Sequence, residues 1–365
     1  MNVWGDKIRV IDTLRMSHSE YAQWITNQQH KHFNIHAELW ADSEEWEALN
    51  PWTRDWARIL AVGKRARTGV ICGRSAVRLW RLGILGYEEP VVVVLPGTKT
   101  APRNTKRWIH YRSARIPSNK ITEHKGIRFT TMERSIGDLC RWGTFAEGLV
   151  AVESYLRQED AQPFLLEQEL EEFGRIPGVR KFRRVLQVAD SKSESVAESW
   201  AKAQLIEAKI TFEQQVQINN RRADFLVGRV VVEIDGDIKF HDDEPRAVLK
   251  ERKRDRELQN AGYVVAHFDW ESLNSGTFIP SLLRLLESMN TKPKDADLTY
   301  VSTSLGFRTL EFEVAKSYKV TPPLAAFAPL FCAESSRRPP HTLRRLRSHP
   351  RRVLWSWYRQ RYRWS

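Results

Sequence analysis

Arg222-Ala-Asp224-Phe-Leu-Val227, a Gly228-Arg229 turn, and Val230-Val-Val-Glu233-Ile-Asp235-Gly236 carry the reading that decides the fold. Two short apolar runs around a two-residue polar turn make a β-hairpin. Side chains alternate along a strand, so Glu233 and Asp235 share a face with Val231, while Val230, Val232 and Ile234 point the other way. A nearly unbroken valine run is the pattern of a central strand covered on both sides. Carboxylates at the end of such a strand repel each other and lose hydration unless a cation or hydrogen-bond donors compensate. Asp224, which opens the neighbouring strand, can lie beside Glu233 across the sheet. Oxygen donors converging in this way suit Mg²⁺ or Mn²⁺. The same short acidic pattern also fits a solvent-facing strand end, or carboxylates paired with Lys239 or Arg221.

Working outward, Thr211–Ile218 and the Asn219-Asn220 turn supply a strand before the hairpin, and Tyr263–Phe268 one after it. Val196–Lys209 has a helical pattern behind a polar Ser191–Ser195 stretch. Pro245 and Gly262 bracket a second helix ending near Ala261, the usual Pro-first, Gly-last asymmetry. Residues 191–290 therefore form one α/β unit, preceded by a helical connector over 161–190 that breaks at Pro177-Gly178. Residues 1–160 are expected to be an α+β domain. It would have short helices over 1–50, a helical stretch from Trp52 to Leu82 broken at Gly63 and Gly73, and strands at Val91–Leu95, Ile109–Tyr111 and Ile127–Thr130. Helix then resumes from Met132 to Arg157. Residues 291–336 are linker or peripheral structure, and 337–365 a basic tail.

The order of residues in the second unit resembles a known family. Gly178–Asp190, Ser195-Val-Ala-Glu198-Ser199, Arg222-Ala-Asp224, Val231-Val-Glu233-Ile-Asp235-Gly236, His241, Arg254-Asp255 and Ala261-Gly262-Tyr263-Val-Val265 follow one another as in the very-short-patch-repair-endonuclease-like family, part of the PD-(D/E)XK nuclease superfamily. The resemblance implies a restriction-endonuclease-like core, a mixed sheet flanked by helices. It also implies an Mg²⁺-dependent phosphodiesterase site with Asp224 and Glu233 as metal-binding acids, Glu198 as the acid of the first helix, able to hold a second metal ion or orient the attacking water, and Asp235 as the second acid of the ExD motif. The superfamily motif ordinarily ends in Lys where Asp235 stands, so Lys239, His241 or the metal ion alone could activate water. Arg254-Asp255 matches a family pattern and could instead brace the fold internally. The first domain, through Cys72–Leu82, Gly126–Arg134 and Ile136-Gly-Asp-Leu139, is loosely similar to the AbiEi-type antitoxin family, although residues 17–50 lack a helix–turn–helix spacing. Together the resemblances imply DNA as substrate, with a cognate toxin or defence partner, in phage defence, mobile-element biology or repair. The alternative is a non-catalytic DNA-binding, antitoxin-like regulator on a degenerate nuclease fold.

Composition narrows the classes further. The 365 residues carry 58 Lys and Arg against 45 Asp and Glu, a formal charge of +13. Ten Arg and no acid fall in Arg337–Ser365, which includes Arg344, Arg345, Arg347 and several Trp and Tyr, leaving +3 for residues 1–336. That tail could grip phosphates and stack on bases, lie on anionic lipid, or be an extension with no role. On the helix after Pro245, Lys250, Arg252, Lys253, Arg254 and Arg256 are candidate phosphate contacts, balanced by Glu251, Asp255 and Glu257. The three cysteines are far apart and form no CxxC pair, which points to reduced thiols in a cytoplasmic protein rather than disulfides or structural zinc. The apolar run Pro322–Ala333 is well short of the roughly 20 residues that span a bilayer, and Asp6 and Lys7 interrupt any signal-peptide pattern. His30, His32 and His36 could be read as a metal cluster, with His32 and His36 on one helical face, but without a diagnostic partner spacing.

Overall fold

Apolar alternation and capping build three sheets among the residues that the computed structural model describes, 8–87, 90–95, 106–219, 221–235 and 255–290. The chain is a mixed α+β protein whose sheets are flanked by helices.

The first sheet has the order β1(Val10–Asp12)-β3(Leu39–Asp42)-β2(His32–His36), with α1(His18–Asn27) between its first two strands in sequence. The short helices expected over 1–50 are present as α1 and α2(Ser43–Ala48), but three strands, which were not expected, lie among them. Phe33 stacks on Trp46 at 4.5 Å and Ile35 is fully buried, so a period of two governs the segment and places His32 and His36 on a strand. The helical face that would have gathered them into a metal site does not exist.

The five-stranded sheet runs β6(Ile109–Arg112)-β5(Val91–Val94)-β4(Val70–Ile71)-β8(Ile127–Thr130)-β7(Ile121–His124). The expected strands at 91, 109 and 127 are present. Gly63 does not break the helix, because α3(Pro51–Arg65) runs through it. A Cβ there would meet Ile127 Cγ2 at 2.5 Å, so this glycine serves close helix–sheet packing. The two-residue β4 then separates α3 from α4(Gly73–Leu79).

Five helices, α5(Met132–Trp142), α6(Phe145–Leu156), α7(Pro163–Phe173), α8(Val179–Val188) and α9(Val196–Glu207), pack around one core that includes Ile136, Leu149, Phe182, Val185 and Ala203. The break at Pro177-Gly178 is present. Gly178 has φ +85°, and a Cβ on it would lie 2.6 Å from the Arg141 carbonyl oxygen. Gly178→Ala combines a left-handed backbone with that clash and is expected to cost about 2 kcal/mol. The loss would be read as a lower urea midpoint at unchanged slope.

The last sheet has the order β12(Val264–Phe268)-β11(Val230–Ile234)-β10(Arg221–Val227)-β9(Glu213–Ile218). β10 is antiparallel to both neighbours, and β11 is parallel to β12. On one face Phe225, Val227, Val230, Val232, Ile234 and Phe268 pack against Ala197, Ala201 and Leu205 of α9. Leu273 and Phe278, from α11(Trp270–Ser275) and α12(Phe278–Asn290), cover the same face. On the other face Val231, Ile218 and Ala223 meet Leu258 of a helical stretch, α10 (255–260). The valine strand is thus central and covered on both sides. Among the described residues no helix is long and apolar enough to cross a membrane.

Candidate active site

The β10–β11 ladder pairs Phe225 with Val232 and Leu226 with Val231. One step further along this register Asp224 faces Glu233. Glu233 in turn pairs with His267 across the parallel ladder to β12. One row across three strands therefore reads Asp224, Glu233, His267. It continues the face that carries Val231 and Val265.

Asp224 Oδ2 accepts a hydrogen bond from the Ile234 N–H at 2.8 Å, which pins it across the hairpin. Its carboxyl is nevertheless pushed up to about 6: burial raises it most, the Ile234 N–H opposes, and the charges of Glu198, Glu194 and Asp235 add to the rise. Glu233 is pushed up to about 7, first by burial and then by the charge of Asp224, against the pull of His267. Among the described residues the Glu233 carboxyl has no hydrogen-bond or ion-pair partner. Arg221, which could have neutralised it, instead pairs with Glu257 at 3.0 Å.

Asp235 turns its carboxylate to His267 Nδ1 at 3.3 Å, and Asp255 of α10 meets Nε2 of the same ring at 3.4 Å. His267 is raised to about 9, chiefly by the hydrogen bond from its ring to Asp235, with burial opposing. It is therefore an imidazolium at neutral pH, held between two carboxylates and beside Glu233. Asp255 braces the fold internally, one of the two roles its place in the sequence allowed.

Glu198 lies in the first turn of α9, whose N-cap Ser195 Oγ accepts from the Glu198 N–H at 3.0 Å. Its Oε2 accepts from the Glu194 N–H at 2.8 Å and from Gln215 Nε2 at 3.0 Å. Gln215 faces Asp224 in the β9–β10 register and has φ +56°, a left-handed backbone inside a strand. Such backbone is costly for a side chain with a Cβ and marks a position that its surroundings fix.

The structure thus brings Asp224 and Glu233 together, with Asp235 and Glu198 near enough to raise Asp224 through their charge. Lys239, His241, Lys250, Arg252, Lys253, Arg254, Arg344, Arg345 and Arg347 lie outside the described residues, and Arg256 lies in α10. Reading the sequence missed His267 and Gln215. A lone histidine in an apolar strand was the available signal for the first, but its partner follows only from parallel register.

The donor set fits a hard divalent cation. It offers two adjacent, partly buried carboxyls, one oxygen of Asp224 tied to backbone and Glu233 untied. Among the described residues no group of three or more His, Cys, Asp or Glu is gathered for a metal ion. Mg²⁺ is commonly held by one or two carboxylates, with water and substrate phosphate completing the shell. Comparison with protein-family models and with curated proteins returns no match for this chain.

Proposed function

We propose that the chain is a Mg²⁺- or Mn²⁺-dependent endonuclease that hydrolyses DNA phosphodiester bonds, on a restriction-endonuclease-like core of the PD-(D/E)XK superfamily. The observation that carries this reading is the Asp224–Glu233 pair, two partly buried carboxyls on one strand row whose burial and neighbouring acidic charges outweigh the pull of His267. A stable fold gains nothing from such a pair, and perturbed carboxyls of this kind mark sites that bind charge.

In this reading Asp224 and Glu233 hold the ion, and Glu198 supports the site from the first turn of α9. When bound, the ion supplies charge neutralisation at the scissile phosphate and acidifies water. The protein's own residues set the geometry. The Ile234 N–H orients Asp224, and Gln215 with the Glu194 N–H orients Glu198. His267, with both ring nitrogens engaged, is a positioning residue: it fixes Asp235 and lowers the cost of ionising Glu233. Its own proton is held too firmly for it to serve as base at neutral pH. Activation of water falls to the ion, or to Lys239 or His241.

The test is incubation of the full chain with plasmid DNA, single-stranded DNA and RNA in Mg²⁺, Mn²⁺ or EDTA. DNA nicking or cleavage in either metal, none in EDTA, and its loss in Asp224→Ala are expected. Equal cleavage by wild type and variant would reject the reading. Salt-sensitive DNA binding with no cleavage, undiminished in Asp224→Ala, would favour the non-catalytic regulator, which the Asp in place of the motif's Lys also suggests.

A further inference from the structure

We infer that the solvent face of α8 is a seat for the phosphate backbone of nucleic acid. This helix, Val179-Arg-Lys-Phe-Arg-Arg-Val-Leu-Gln-Val188, buries Val179, Phe182 and Val185 and exposes Arg180, Lys181, Arg183 and Arg184. Arg180, Arg183 and Arg184 stand three and four residues apart, hence on one face, and exposed Arg175 lies in the segment just before the helix. No acid lies on the helix.

Charged helices on ordinary surfaces interleave signs, and their cations find carboxylates. Here, among the described residues, none of Arg175, Arg180, Lys181, Arg183 and Arg184 forms an ion pair. Two are anchored without being neutralised: Lys181 Nζ donates to the Gly143 carbonyl at 3.0 Å, and the Arg184 guanidinium sits 4.3 Å from the Phe145 ring centroid. Among the described residues, Arg180 and Arg183 have no contact of either kind. The neighbouring α7 does carry Glu167, Glu169, Glu171 and Glu172, but Glu169 and Glu172 are both taken by Lys120.

Arg180 and Lys181 also stand in the first helical turn, where the helix dipole favours acids. Gly178, at the N-cap, supplies no capping side chain. A row of cations placed against the dipole and left without carboxylates is stabilised by an outside polyanion. The regular spacing of the cations along one helix fits a phosphate backbone better than an isolated anion.

This surface is distinct from the candidate phosphate contacts on the helix after Pro245 and in the Arg-rich tail. It rests on the nuclease reading only for the choice of DNA as ligand, and its test omits cleavage. Binding of the full chain to a fluorescent 20-base-pair duplex is measured by anisotropy in EDTA, from 50 to 300 mM salt. Arg180→Gln/Arg183→Gln is expected to weaken binding about ten-fold or more near 0.1 M salt. The double variant should also lower the slope of log affinity against log salt by about 2, one unit per lost phosphate contact. Arg180→Lys/Arg183→Lys should retain most of the affinity and all of the slope. Because neither side chain has a partner among the described residues, the thermal midpoint should not move in either variant, which separates lost binding from lost folding. Wild-type slope and affinity in the Gln variant would overturn the inference and place the contacts elsewhere. Equal loss in the Lys variant would overturn it as well, as would binding to anionic vesicles but not to the duplex. Duplex binding that depends on α8, in a chain that never cleaves, would sustain this surface while rejecting the nuclease.

Discussion

Glu233→Gln is expected to abolish metal-dependent cleavage, by about a hundred- to a thousand-fold, and at the same time to make the fold more stable at pH 8. The second half follows from linkage. Burial and the charge of Asp224 raise the Glu233 carboxyl from 4.5 to about 7. Between those values the folded chain keeps a proton that the unfolded chain has released, so stability falls as pH rises. The contribution is fully present below about 4.5 and is gone once pH has passed about 7. Asp224, raised from 3.8 to about 6, acts in the same sense. So does His267: a base raised from 6.5 to about 9 contributes stability that is present below 6.5 and lost as pH climbs through about 9. For Glu233 alone the loss is on the order of 3 kcal/mol, reduced by the solvent that reaches the group. It does not simply add to that of Asp224, because the Asp224 charge is itself part of the Glu233 shift. Urea midpoints of the wild type should therefore fall from pH 5 to pH 9, and Glu233→Gln should flatten the part between about 4.5 and 7. Millimolar Mg²⁺ should raise the wild-type midpoint at pH 8 and leave the variant unmoved. A Gln variant less stable than wild type at pH 8 would make Glu233 a structural anchor. Stability gained where activity is lost is the mark of a site kept at the fold's expense.

What could be read in advance, and what could not, divides by the range of the interaction. The Asp224–Glu233 pair is legible because a two-residue turn fixes antiparallel register and period two assigns the face. His267 is not. Its place beside Glu233 depends on a parallel pairing between strands about thirty residues apart, and nothing local encodes parallel register. Helix spans with strong caps, such as α9 behind Ser195, follow from sequence within two residues. The failures have a different cause. β4 is two residues long, too short for any periodicity, and exists because Val70 and Ile71 pair with Val94 and Val93. At Gly63, helix propensity yields to a tertiary demand, the approach of Ile127. In β2, Phe33 and Ile35 alternate with polar residues, a signal obscured by three histidines whose spacing also suits a helix. The left-handed backbone of Gln215 has no local signature at all, since neither Gly nor Asn occupies the position. It is fixed by the strand it faces and by the helix terminus its amide reaches.

Lys202→Met should be the most damaging single change away from the carboxylate row, with an expected loss of about 3–5 kcal/mol. Lys202 Nζ lies 2.6 Å from Glu153 Oε1 and 3.0 Å from Asp190 Oδ1, and the Glu153 side chain is fully buried. Glu153 Oε2 accepts from Ser193 Oγ at 2.7 Å, and Gln214 Nε2 of β9 donates to that same hydroxyl at 2.8 Å. The pair thus bolts α6 of the helical core to α9 and to the edge of the last sheet. Neutral partners could replace it at little cost, whereas removing one ion strands the other in a site where water cannot solvate it. Glu153→Gln/Lys202→Met should accordingly recover most of the stability lost by Lys202→Met. The double-mutant cycle should return a coupling of about 2 kcal/mol or more. Lys202 also stands four residues after Glu198, on the same face of α9. Loosening this anchor frees the turn that holds Glu198 against Gln215, so DNA cleavage should fall in the single variant and return in the double. A single-variant loss below about 1 kcal/mol would mean that water or a rearranged Asp190 already solvates Glu153, and α9 would then be held by its alanine face alone.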